Sequence, residues 1–177
     1  MKLVVLDRDG VINHDSDQFI KSPQEWKPIP GSLAAIARLN QAGYQVVVAS
    51  NQSGVGRGLL DMATLNAIHD QLHRRLAQEG GQIAAIFYCP HAADANCGCR
   101  KPRAGLLEEI GRRFGVPLTG VPAIGDSLRD LQAAAAVGAQ PILVLTGKGQ
   151  ATRRAGGLPA GTRIHDNLAD AVTALCV

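Results

Sequence analysis

Apolar positions along the chain fall into two alternating patterns. Short continuous runs bounded by polar or glycine residues occur at Leu3–Leu6, within Gln45–Asn51, and at Ile83–Tyr88, Val121–Ile124 and Pro141–Leu145. Runs of this length, carrying β-branched residues and little polar alternation, predict strands buried on both faces. Between them, apolar residues return every third or fourth position: Leu33, Ile36, Ala37 and Leu39; Leu65, Ile68, Leu72 and Leu76; Leu106, Leu107, Ile110 and Phe114. That period predicts amphipathic helices. The punctuation agrees, because Gly43, Gly80-Gly81, Gly115 and Gly138 follow helical stretches while Asp61 and Asn167 precede two of them as caps. An alanine-rich helix ending at Gly138 and a short sixth strand before the last helix complete the series.

The repeated alternation predicts one α/β domain over residues 1–177, Rossmann-like, with a mostly parallel central sheet, right-handed crossovers and helices on both faces. Three segments are expected to be irregular. Residues 13–30, with Pro23, Pro28 and Pro30, are long enough for a lid, and Trp26 within them either anchors it or simply packs into the core. The glycine-punctuated stretch Gln52–Gly58 and the segment Lys148–Gly161 read as loops. No large insertion follows the first or second strand, so only a minimal cap is expected.

Composition removes several classes of function. Aromatic residues make up 3% of the 177 positions, too few for a base-stacking surface. The net charge of +3 is spread in pairs such as Arg74-Arg75 and Arg153-Arg154, which suits a small anionic ligand and forms no nucleic-acid stripe. The N-terminus has no signal-peptide pattern, and no apolar run approaches the ~20 residues of a membrane span. A cytoplasmic monomer without membrane or nucleic-acid partners is the expectation.

Chemistry gathers at the strand ends. The first strand runs into Asp7-Arg8-Asp9-Gly10, a carboxylate pair able to hold a divalent metal or to divide the work of nucleophile and proton donor. The other strands lead to Ser50-Asn51, to Lys101 and to Asp126 with Asp130. In an open parallel sheet these ends share one edge, where ligands bind. Together they offer a nucleophile, hydroxyl and amide donors, a fixed cation and a further carboxylate, the inventory of phosphoryl transfer. Asp130 also completes Ser127-x-x-Asp130, a helix capping box, so a structural role and a role behind the metal are both open. A separate cluster, Cys89-x-His91-x5-Cys97-x-Cys99, has the composition of a closed tetrahedral zinc site, against the alternatives of free thiols or a strained disulfide.

Asp-x-Asp-Gly-Val-Ile, Ser-Asn, Lys-Pro and Gly-Asp-x-x-x-Asp, in that order, resemble the four motifs of the haloacid dehalogenase superfamily over nearly the whole chain. The resemblance implies Asp7 as nucleophile, through an aspartyl phosphate, and Asp9 as general acid and base. It implies Ser50, Asn51 and Lys101 as phosphate ligands, and Mg²⁺ on the carboxylates of Asp7 and Asp126 and the backbone carbonyl of Asp9. The cysteine loop, the Cys-x-Cys-Arg-Lys-Pro that ends it and Ser-Asn-Gln-Ser-Gly-Val-Gly-Arg-Gly are further similar to the heptose 1,7-bisphosphate 7-phosphatase branch, with histidinol-phosphate phosphatases as the alternative. That branch implies Zn²⁺ on Cys89, His91, Cys97 and Cys99, Arg100 toward the distal phosphate of a phosphorylated sugar, and substrate contacts from Asp15, Ser16, Asp17, Gln18, Gln52, Ser53 and Arg57. It also implies a place in nucleotide-heptose supply for surface glycans. The chain departs from the pattern at Ser50, where many members have Thr, and at Ser127, where a Lys or Arg is frequent.

Overall fold

The computed structural model describes all residues from Met1 to Val177. Six strands form one parallel sheet: β1 (Lys2–Leu6), β2 (Tyr44–Asn51), β3 (Ala85–Cys89), β4 (Pro122–Gly125), β5 (Gln140–Val144) and β6 (Arg163–His165), in the spatial order β3-β2-β1-β4-β5-β6. Seven helices connect or follow them: α1 (Ser32–Gln41), α2 (Ser53–Gly56), α3 (Met62–Gln78), α4 (Gly105–Phe114), α5 (Leu128–Ala136), α6 (Gly149–Ala155) and α7 (Leu168–Leu175).

The period-two geometry of β1 separates its apolar residues between two cores. Val4 and Leu6 face α1, α3 and α7, packing with Ile36, Leu39, Ile68, Leu72 and Val172, while Leu3 and Val5 face α4 and α5 with Leu107, Ile110 and Ala133. Both faces of β1 are therefore dry, which is why its sequence is continuously apolar. Helix ends follow their caps. Asp61 accepts from the Thr64 amide, Asn167 accepts from the Asp170 amide, and Gly115 ends α4 with φ 65°.

Two expected loops contain helices. Residues 52–58 include the single turn α2, and residues 148–161 include α6, whose Gly-Gln-Ala-Thr-Arg-Arg-Ala sequence has no apolar stripe to announce it. Strand β3 also starts two residues later than its apolar run, at Ala85. Residues 13–30 form turns tied to the sheet edge by bridges of Asn13 to Asp9 and Pro28. Trp26 is 1% exposed and belongs to the larger core, so packing is its role.

The chain builds β1, β2 and β3 outward in one direction, then returns past β1 to lay β4 on its other side. This reversal leaves a crevice beyond the carboxyl ends of β1 and β4. The Asp7 amide, donating to the Ile124 carbonyl at 2.9 Å, fixes the two strand ends against each other there.

Candidate active site and metal centres

Asp7 is the first residue past β1, and the Lys101 ammonium lies 3.2 Å from its Oδ1. Lys101 is 4% exposed; its Nζ also pairs with Asp130 Oδ1 at 2.6 Å and donates to the Ala49 carbonyl at 2.8 Å. Burial alone would lower the Lys101 pKa, but Asp130 and Asp7 outweigh it and hold the ammonium charged. Opposite, one oxygen each of Asp7, Asp126 and Asp130 fall within 4.8 Å of one another. Burial, then Asp130, push Asp7 well above the usual carboxylate range, and the same two causes bring Asp126 up to about 7.

Such crowding of hard anionic oxygens fits a small divalent cation, which would relieve the repulsion that raises both groups. Glycines make room for the Asp126 carboxylate, which a side chain at Gly10 or Gly147 would strike. Asp130 is already committed. Its Oδ2 accepts from the amides of Asp126 and Ser127 and from the Ser127 hydroxyl while Oδ1 holds Lys101, so it closes the capping box and braces Lys101 at the same time.

Asp9 differs from Asp7 in its surroundings. Burial would raise its pKa, but the Arg8 guanidinium and hydrogen bonds from Arg8, Asn13 and Gln52 outweigh this and hold it low. Two neighbouring carboxylates are thus pushed in opposite directions, the pattern expected of distinct chemical tasks.

Both aspartates open onto a cavity of about 240 Å³. Of the residues singled out in the sequence, Asp15, Ser16 and Asp17 line it from the segment after β1, and Asn51, Gln52, Ser53 and Arg57 from the end of β2 and α2. Arg100, Lys101 and Asp126 close the remaining sides. Two do not line it. Gln18 falls in a neighbouring depression with Lys21 and Lys27, although Phe19, whose φ is 65°, and Ile20 after it line the main cavity. Ser50 is 1% exposed and sits behind Gln52, which donates to its Oγ at 2.8 Å. Asn51 lines the wall, but its side chain is occupied: Oδ1 accepts from the Lys101 amide and Nδ2 donates to the Lys101 carbonyl. It brackets Lys101 where the sequence suggested a free amide donor.

Sequence reasoning missed Arg129 and Lys148, which also line the cavity. Arg129 lies two residues past Ser127, in the first turn of α5, and only its spacing from Asp126 could have signalled it. Arg100 has a buried Nη1 without a hydrogen-bond partner; burial, then the charge of Arg129, depress its pKa.

The second metal candidate lies beside this cavity. Cys89 Sγ is 3.4 Å from His91 Nδ1 and 3.5 Å from Cys97 Sγ, and Cys99 Sγ is 3.3 Å from His91 Nδ1 and 2.9 Å from Cys89 Sγ. Zinc bonds of about 2.0–2.3 Å define a tetrahedron with edges of roughly 3.5 Å, so the donor set fits a zinc ion. No disulfide joins any of the four cysteines, and Cys176 stands apart and exposed. The loop is tied to the cavity wall on both sides, by Gln52 N–H to the Cys89 carbonyl at 2.8 Å and Gly56 N–H to the Pro90 carbonyl at 2.7 Å.

Two family models match the chain, one described as polynucleotide kinase 3 phosphatase over residues 2–119 and one as HAD-hydrolase-like over residues 98–171. A D-glycero-beta-D-manno-heptose-1,7-bisphosphate 7-phosphatase of Bordetella bronchiseptica is 63% identical, the match spanning 96% of this chain and 94% of that protein. The chain belongs to the heptose-bisphosphate 7-phosphatase family of HAD phosphatases. Its relatives include the enzyme of the same name from Pseudomonas aeruginosa, 54% identical over 98% of this chain and 97% of that one. The crystal structure of the B. bronchiseptica heptose bisphosphate phosphatase, complexed with magnesium and phosphate, superposes with a TM-score of 0.98 at 61% identity, covering 99% of this chain and 98% of that chain. Membership of this family makes the chain a phosphoric monoester hydrolase.

Proposed function

We propose that the chain removes the 7-phosphate of D-glycero-β-D-manno-heptose 1,7-bisphosphate, leaving a heptose 1-phosphate for nucleotide-heptose synthesis, as a monomer in the cytoplasm. The observation that carries this reading is Asp7 held between the Lys101 ammonium at 3.2 Å and the carboxylates of Asp126 and Asp130, in a chain 63% identical to a heptose-bisphosphate 7-phosphatase. The histidinol-phosphate alternative is not favoured, since those close relatives are named for the heptose substrate. No helix is long and apolar enough to cross a membrane.

Asp7 Oδ attacks the phosphorus, the sugar C7 oxygen departs, and the phosphoryl group rests on Asp7 until water displaces it. Lys101 faces the oxygens on which charge collects. Asp9 protonates the departing oxygen and then accepts the proton of the attacking water. Free Asp9 is held low, which suits the second task; the arriving phosphate dianion raises its pKa by like-charge proximity, which suits the first. The carboxylates of Asp7 and Asp126 with the Asp9 carbonyl would hold Mg²⁺, which when bound offsets repulsion between the nucleophile and the phosphate. Cys89, His91, Cys97 and Cys99 would hold Zn²⁺ and so set the path of the chain into Arg100 and Lys101. Arg100, with Arg57, faces the 1-phosphate, and Asp15, Ser16, Asp17 and Ser53 face the sugar hydroxyls.

Parallel turnover assays on the β-bisphosphate and on histidinol phosphate test the substrate, and Asp7→Asn tests the chemistry. Preference for the bisphosphate and loss of at least about 10³-fold in kcat for a folded Asp7→Asn protein are expected. Preference for histidinol phosphate, or an active Asp7→Asn protein, overturns the reading.

A further inference from the structure

Arg8 stands between the two reactive aspartates in the sequence and is 0% exposed, with the whole of its charge inside the protein. A buried guanidinium is costly unless its donors are met. Each of its three nitrogens has a partner. Nε donates to Asp9 Oδ1 at 2.8 Å, Nη1 lies 3.1 Å from His69 Nε2, and Nη2 donates to Gln52 Oε1 at 3.2 Å.

Arginine only donates, so His69 Nε2 must be the acceptor and the ring must be neutral with its proton on Nδ1. Burial first and Arg8 second hold this histidine down at about 3, which keeps it in that state at any working pH. The polarity passes onward. With Gln52 Oε1 facing Arg8, its Nε2 faces Asp9 Oδ2 at 3.1 Å and Ser50 Oγ at 2.8 Å. Asn13 Nδ2 adds a third donor to Asp9, on Oδ1 at 2.9 Å. Ser50, accepting from Gln52, keeps its own hydroxyl hydrogen for another acceptor.

We infer that His69, on α3 and outside the cavity, is a positioning residue for the reaction: through Arg8 and Gln52 it fixes which way the Asp9 carboxylate points toward the departing oxygen. This rests on the acid–base role of Asp9 proposed above. A neutral acceptor is what the place requires. An apolar residue would leave Nη1 unmet and free the guanidinium to tilt, and a carboxylate would draw it away from Asp9. An error of about 1 Å in a proton-transfer group costs on the order of a hundredfold in rate while ground-state phosphate contacts survive, so the signature is kcat falling with KM held.

His69→Leu removes the acceptor and His69→Gln restores one at similar reach. In the Mg²⁺-loaded full-length protein, kcat on the bisphosphate is expected to fall at least about tenfold for His69→Leu with KM within about twofold, and to recover most of the loss in His69→Gln. Arg8→Lys keeps the buried charge without the fork and is expected to show the same split should His69→Leu fail to fold. A folded His69→Leu or Arg8→Lys protein with wild-type kcat overturns the inference. So does a loss confined to KM, or a His69→Gln protein as impaired as His69→Leu, since each would mark packing alone. Asp9→Asn separates the two levels: if it stays active, the acid–base role of Asp9 fails, whatever His69 does.

Discussion

Asp126 shows how one residue couples the metal site to stability. Its ordinary pKa is 3.8, and in the metal-free fold burial and Asp130 bring it to about 7. The folded protein therefore binds this proton more tightly than the unfolded chain, so the associated stability, on the order of a few kcal/mol, is present below about pH 4 and lost as pH rises through about 7. Asp7 is raised as well and acts in the same direction. Asp9 and Asp130 are lowered, and their contribution is lost only in acid below that window. With Asp126 among its ligands, Mg²⁺ would take the place of this proton, so saturating Mg²⁺ is expected to raise the melting temperature by several degrees at about pH 8 and little at about pH 5.5. Calorimetry at both values checks this, and equal increments would remove Asp126 from the ligand set. Asp7, Asp9 and Asp126 were legible because they closely follow apolar runs, where a charge has no packing purpose, and Lys101 was legible through the Lys-Pro that closes the cysteine loop. Arg8 was not: a basic residue between two acids reads as solvated, and only the fold brings His69, 61 positions away, to meet it. Ser50 and Asn51 were legible as polar groups at a strand end, but their partners were not: Ser50 accepts from Gln52, and Asn51 brackets the Lys101 backbone 50 positions away.

At the scale of elements, the cysteine loop touches the core on the α4 face only through its cysteines: Cys89 belongs to that core, and Cys97 and Cys99 pack against it. Its stretch between Cys89 and Cys99 is mostly exposed, has no large apolar side chain and holds a single 3₁₀ turn at Ala93–Ala95, so a zinc ion on the four donors would supply much of its folding free energy. It passes directly into Arg100 and Lys101, and Asn51 clamps the Lys101 backbone from the neighbouring strand. Cys99→Ser is expected to lose zinc and to lower kcat/KM about tenfold or more, with the sheet and its melting transition largely kept, because α4 and α5 still cover their face. Elemental analysis with steady-state kinetics measures both. A zinc-free variant with wild-type kcat/KM would mean that Asn51 alone holds Lys101 in place. Elements with an apolar stripe were readable to within a residue or two, as the α3 span from Asp61 to Gln78 shows. Helices α2 and α6 were hidden for a physical reason: the first is one turn held by the Pro90 carbonyl and the second has no large apolar residue, so neither bears the pattern that hydrophobic burial imposes.

For the molecule as a whole, the order β3-β2-β1-β4-β5-β6 decides where charge can collect. All strands point the same way, so every strand-end side chain faces one rim, and the absence of a cap domain leaves that rim open to solvent. Selection must then work by charge more than by enclosure. The cavity carries Arg57, Arg100, Arg129 and Lys148 on its outer wall, and the ion pairs tie down only Lys148, to Asp15 at 3.5 Å. A substrate with phosphates at both ends meets this field twice, once at Lys101 and once at the arginines. A monophosphate of the same sugar meets it once. Solvent-exposed charges are screened over about 8–10 Å at physiological ionic strength, while the buried Lys101–Asp7 pair is screened much less. Raising ionic strength from about 50 to 500 mM is therefore expected to lower kcat/KM for the bisphosphate several-fold more than for heptose 7-phosphate, with kcat nearly constant for both. Replacing Arg129 with Ala should bring the two salt slopes closer together by removing one of the cations that no ion pair ties down. Parallel slopes in the unmodified protein would show that the distal phosphate is held by neutral hydrogen bonds, and that the open arginine wall has no part in choosing the substrate.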